Sequence, residues 1–168
     1  MTETIEVTQT PAFVISDNAT IAHLNLRKEG EDGEILCADI KIKFKRTSRF
    51  VLDYFDTGLT PFLWLYNNQK LGEPDLAGET GEVMMAVKNL KLAPISYSHE
   101  INLCDLAIGG VRLYGATVKK FQIQPLDGGY IEFICSASSE VSQDQVSVLS
   151  QYLAEEVKVK ITEPSKLI

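Results

Sequence analysis

Six consecutive residues, Ile40-Lys41-Ile42-Lys43-Phe44-Lys45, alternate apolar and charged without a break. A helix would scatter the three lysines around its circumference, whereas a strand gathers them on one face and the apolar side chains on the other. The segment therefore reads as a half-buried antiparallel strand with one dry and one wet face. A strand from Ile35 to Phe44 is expected. Leu24-Asn25-Leu26-Arg27 would be its hairpin partner across the turn Glu29-Gly30-Glu31-Asp32-Gly33.

Upstream, residues 1–18 are polar around Pro11 and Phe13-Val14-Ile15, which reads as a mobile arm ending in a short edge strand. Downstream, Thr47 or Ser48 can cap a helix whose Val51, Leu52 and Phe55 share a face, stopped at Asp56-Thr57-Gly58. Thr60-Pro61 looks like the cap and first position of a second short helix carrying Phe62, Leu63, Trp64 and Leu65. Residues 70–81, rich in glycine and acid, are the best linker. Strands are expected within Val83–Leu92. Ile101–Ile108 should meet Val111–Leu113 across Gly109-Gly110, where both glycines tolerate positive φ. Thr117–Ile123 and Tyr130–Ser136 flank Asp127-Gly128-Gly129 as another hairpin. Ser142 and Gln145 form a capping box for a helix that turns Val146, Leu149 and Leu153 inward and ends near Ala154. Val157, Val159 and Ile161 make a last strand.

The segment Ala19-Thr20-Ile21 to Leu26 parallels Ala116-Thr117-Val118 to Ile123, and each is followed by a glycine turn, a cysteine-bearing strand and a serine-capped helix. The pattern is that of a hairpin–helix unit occurring twice. The fold class expected is α+β: antiparallel β-hairpins in one or two sheets with two or three short helices. One domain would span 19–168, with halves 19–69 and 82–162 joined by the acidic loop 70–81.

A chain of 168 residues with 45% hydrophobic and 23% charged residues has enough apolar surface for an ordered core. Its opening residues lack the basic start and apolar run of a signal peptide, and no apolar stretch is long enough to span a bilayer. Cytoplasmic residence and no membrane partner are expected. Cys37, Cys104 and Cys135 have no close spacing and are an odd number, which is no disulfide framework.

No catalytic constellation is visible. His23 and His99 are the only histidines, and no nucleophile elbow accompanies either. Metal-ligand spacings are missing, as are phosphate-binding glycine loops, so no metal and no cofactor are expected. Asp53 and Asp56, three apart on the expected helix, read as a solvated face. The net charge of −7 lacks the overall basic footprint of a nucleic-acid binder. Locally the balance reverses. Lys41, Lys43, Lys45, Arg46 and Arg49 put five basic groups into nine residues. Strand geometry spaces the three lysines about 6.5–7 Å apart, close to the phosphate repeat of an extended single strand. Tyr54, Tyr66 or Trp64 could supply rings for base stacking.

At Cys37-Ala38-Asp39-Ile40-Lys41-Ile42 and Phe55-Asp56-Thr57-Gly58-Leu59 the chain resembles a family of small uncharacterised phage and prophage proteins. The likeness continues through Leu90-Lys91-Leu92, Gly115-Ala116-Thr117-Val118 and Gly128-Gly129-Tyr130-Ile131-Glu132. The resemblance implies an early-gene setting concerned with DNA recombination, in the cytoplasm of a host cell, and supplies no catalytic residues. The function expected is therefore a non-enzymatic phage accessory protein of DNA metabolism. It would bind single-stranded DNA or a recombination partner through Lys41, Lys43, Lys45, Arg46, Arg49, Tyr54 and Trp64, and form a homo-oligomer. The alternatives are an acidic inhibitor of a host defence protein, working through residues 29–34 and 73–82, or a virion or assembly component.

Overall fold

The computed structural model describes residues 12–55, 64–66, 84–86 and 95–164. Strands β1 (Val14–Glu29) and β2 (Ile35–Ser48) form the expected hairpin, followed by a 3-10 turn (Arg49–Val51) and the one-turn helix α1 (Leu52–Phe55). Two short strands, β3 (Trp64–Tyr66) and β4 (Met84–Ala86), pair with each other and, among the described residues, with no other strand. Next come β5 (Ile95–Tyr97), β6 (Ile101–Ile108), β7 (Val111–Leu126) and β8 (Tyr130–Glu140). Helix α2 (Gln143–Gln151) and strand β9 (Glu156–Thr162) complete the described chain.

The α+β expectation is overturned. Seven strands form one antiparallel sheet in the order β5-β7-β6-β9-β1-β2-β8, and β8 returns to pair with β7. The ring β7-β6-β9-β1-β2-β8 is therefore closed, a six-stranded barrel with β5 alongside β7. Closure works because β7 is long enough for two partners: its first half pairs with β6 and its second with β8. Local pattern predicts two short strands there, Val111–Leu113 and Thr117–Ile123, with Gly115 between them interrupting the alternation. In the structure Gly115, at φ +72°, sits at a register shift inside one continuous strand.

Helical content among the described residues is small. Ser48 does cap the helical segment, its Oγ accepting from the Phe50 N–H at 3.3 Å. The helix expected to carry Trp64 and Leu65 is corrected: both lie in β3, where Trp-Leu-Tyr suits a pleated strand. Its predicted start at Thr60-Pro61, the 70–81 linker and most of Val83–Leu92 lie outside the described residues. So do residues 1–11 of the expected arm, whereas Val14 to Asn18 belong to β1.

Divided at the β6–β7 turn rather than at the expected 70–81 loop, the chain falls into two halves whose exchange leaves the ring order unchanged. The first half supplies β1, β2, α1 and β6, and the second supplies β7, β8, α2 and β9. The last strand of each pairs with the first strand of the other: β6 with β7, and β9 with β1. Two copies of one hairpin–helix–strand unit would give this arrangement.

The interior is packed with side chains. Ile21, Ile40, Ile42, Phe44, Leu106, Ile108, Phe121 and Phe133 are all fully buried. Each contributes roughly 1.5–3 kcal/mol through removal from water. One end is closed by rings. Phe13 meets Tyr54 at 5.2 Å and Phe121 at 5.9 Å, and Phe55 stacks on Tyr97 at 4.7 Å. Helix α2 carries the expected capping box and buries Leu149. Leu153, expected inward, is 40% exposed, because the helix stops at Gln151 and Ala154 takes φ +61°.

Candidate nucleic-acid interface

Strand β2 sorts its side chains as the alternation requires. Ile40, Ile42 and Phe44 point into the barrel, and Lys41, Lys43 and Lys45 lie on the outer wall. The strand is not an edge: β1 pairs it through Lys43, and β8 pairs it from Cys37 to Ser48. Protection of a free edge is therefore no explanation for these lysines.

Register carries the basic character across neighbouring strands. His23 on β1 pairs with Lys41, Lys41 with Ser136 on β8, and Ser136 with Lys119 on β7. Adjacent strands are about 4.8 Å apart, which puts Lys119 roughly 10 Å from Lys41 in the same row. One row along, Thr20, Lys43, Ile134 and Gln122 follow the same order. Lys119 had no signal in the sequence, because only the closing β7–β8 pairing brings it beside β2.

Beyond Phe44 the β2–β8 register shifts until Thr47. The extra residue lets Lys45 and Arg46 both face solvent while Thr47 turns inward and is buried. Arg46 lays its guanidinium over the Tyr130 ring, 3.9 Å from the centroid, and Arg49 lies 4.8 Å from that of Phe50. Tyr130 and Phe50 were not singled out from sequence. A tyrosine at the start of a strand and a phenylalanine after a cap both look like packing residues until their exposure is known.

The acids on this wall are largely engaged. Glu132 pairs with Lys43 at 3.7 Å. Asp39 accepts hydrogen bonds from Ser138 Oγ at 2.5 Å and Arg27 Nε at 3.0 Å, and Arg27 also pairs with Glu29. Burial pushes the Asp39 carboxyl up, but those two hydrogen bonds and the charges of Arg27 and Lys119 outweigh it and hold the group below its ordinary value. Among the described residues, Lys41, Lys45, Arg46, Arg49 and Lys119 have no carboxylate ion-pair partner.

The expected stacking residues are placed differently. Tyr54 belongs to the ring layer closing the barrel end, packed against Phe13, Phe55 and His99. Burial, and then the Glu163 charge, raises its hydroxyl pKa. The backbones of Trp64 and Tyr66 are in β3, and their side chains lie outside the description, as do those of Asp53 and Asp56. His99 packs on Phe55 and Phe121, at 5.4 Å from each. All three cysteines are free and buried, and burial pushes the Cys104 thiol up to about 11. Among the described residues no group of three or more potential ligands could hold a metal ion, and no helix is long and apolar enough to cross a membrane.

Comparison with protein-family models, with curated proteins and with solved structures finds no match.

Proposed function

We propose that the protein is a non-enzymatic single-stranded DNA-binding accessory of phage DNA metabolism, acting in the cytoplasm of a host cell. The observation that supports this best is the outer wall itself. Lys41 and Lys119 share a row, and Lys43, Lys45, Arg46 and Arg49 continue the positive surface along and past β2. A net charge of −7 does not cancel such a patch, because at physiological salt the screening length is only about 8 Å. Lysine spacing along the strand suits successive phosphates, and rows across strands widen the track.

The acidic-inhibitor reading has less support. In the turn after β1, Glu34 folds back to accept from the Asp32 N–H at 3.1 Å, so this carboxylate holds the turn. Residues 73–82 lie outside the described residues. A homo-oligomer belongs to the proposal. From Asn25 to Glu29, β1 pairs with β2 on one side and with no described strand on the other, an edge a second copy could extend.

Fluorescence anisotropy with an oligothymidylate across a salt series tests the wall. Each phosphate contact to a single strand contributes about −0.7 to the slope of log K against log salt. Replacing Lys41, Lys43 and Lys45 by glutamine should weaken binding and flatten that slope by about two. Binding with an unchanged slope would remove the lysines from the interface.

A further inference from the structure

The basic rows run into a pair of exposed rings at one end of the barrel. Phe50 is 60% exposed and Tyr130 is 38% exposed. Neither ring joins the hydrophobic core, in contrast to the neighbouring Tyr54 and Phe55. Burial therefore does not account for an aromatic at either position. The two belong to one corner of the wall: Tyr130 pairs with Ser48, and the Ser48 Oγ accepts from the Phe50 N–H. Each ring has an arginine lying over it, and Lys45 is exposed on the adjoining turn of β2. In sequence, Asp53 lies three residues after Phe50, while Tyr130 is flanked by Asp127 in the β7–β8 turn and by Glu132, which is already paired with Lys43.

Resting on the single-strand reading above, we propose that Phe50 and Tyr130, layered with Arg49 and Arg46, are a stacking platform for unpaired bases, while Lys41, Lys43 and Lys45 follow the phosphates. Two features commit the surface to a nucleic-acid strand. Protein interfaces take rings and arginine readily but are depleted in lysine, whereas here the rings adjoin Lys45 and the lysine row of β2. A guanidinium stacked on a ring also presents its own outer plane, and bases stack on either surface. Duplex DNA hides its base faces, so the platform selects single strands. It reads the presence of bases and not their identity, since every base has a π-face.

The test compares the full chain binding an oligothymidylate with its binding an abasic phosphodiester of the same length. The wild-type protein should prefer the oligothymidylate by about tenfold or more, the size of one or two stacking contacts. The double variant Phe50→Leu/Tyr130→Leu keeps bulk but loses both rings. It should lose that preference while holding its affinity for the abasic strand and its salt slope. Phe50→Tyr and Tyr130→Phe should retain the preference. Equal wild-type affinity for the two strands, a measurement that needs no variant, would overturn the platform and leave the lysine wall standing. Retention of the preference by the folded double leucine variant would do the same. Failure of the wild-type protein to bind either strand would overturn both.

Discussion

Gly109 shows how one backbone angle ties distant parts of the chain together. It turns β6 into β7 at φ +55°, and its N–H donates to the Lys158 carbonyl at 2.9 Å. A Cβ there would come within 2.6 Å of Tyr152 Oη and 3.0 Å of Val157 Cγ2, so both conformation and space demand glycine. Gly110, expected to share the positive φ, does not use it, and a Cβ there meets nothing within 4 Å. Gly109→Ala should therefore cost about 2–3 kcal/mol in urea unfolding, whereas Gly110→Ala should stay within about 0.5 kcal/mol. Equal effects would mean that the approach of Tyr152 does not constrain the turn. Leu103 is the converse case. It sits at φ +59° with its side chain 68% exposed, so strain is carried without burial. Leu103→Gly should raise stability by about 0.5–1 kcal/mol in the same assay, the relieved strain exceeding the entropy that glycine adds to the unfolded chain.

Among the elements, β2 is held to its neighbours by Asp39 as well as by its ladder. Arg27 on β1 and Ser138 on β8 both donate to that carboxylate, so one side chain spans three strands. Its folded pKa lies below the ordinary value near 3.8, so in acid the unfolded chain binds the proton more readily. The resulting stability is fully present above about pH 4 and is lost as pH falls through the lower folded value. Asp39→Asn should lower stability by about 0.5–1 kcal/mol at neutral pH, because the carboxylate is partly exposed and screened. The gap from wild type should narrow below about pH 4. A constant gap would assign the effect to packing. Helix α2 was legible in the sequence through the Ser142 and Gln145 spacing, and the reciprocal bonds are present at 3.2 and 2.9 Å. Ser142→Ala should cost about 1 kcal/mol. Gln145 also reaches the Arg112 carbonyl at 3.2 Å, which no local pattern predicts.

For the whole molecule, closure is the property with the widest consequences. A ring of paired strands leaves few edges and encloses Cys104 and Cys135 among the core side chains. Burial raises both thiols, that of Cys104 to about 11, so thiolate is scarce at neutral pH. Under native conditions a thiol-disulfide reagent should label these two only as fast as the barrel opens. Cys37, at the margin of the core, should react first. In urea above the midpoint all three should react together. Rapid native labelling of Cys135 would show that the β2–β8 seam opens on its own.

The alternation at 40–45, the glycine turns and the capping box were decided by the sequence, because each depends on residues a few positions apart. Local pattern fixes which face of a strand is dry and where a helix starts. It also located the basic stripe, since Lys41, Lys43 and Lys45 share a face in any strand. Which strands become neighbours is decided by contacts across the chain, such as β8 with β2 and β7, and these depend on how the apolar faces can enclose one another. Local alternation is satisfied equally by an open sheet and by a barrel. Closure sets Lys119 in the row of Lys41, and tertiary packing leaves Phe50 and Tyr130 exposed while drawing Tyr54 into the layer of rings at the barrel end.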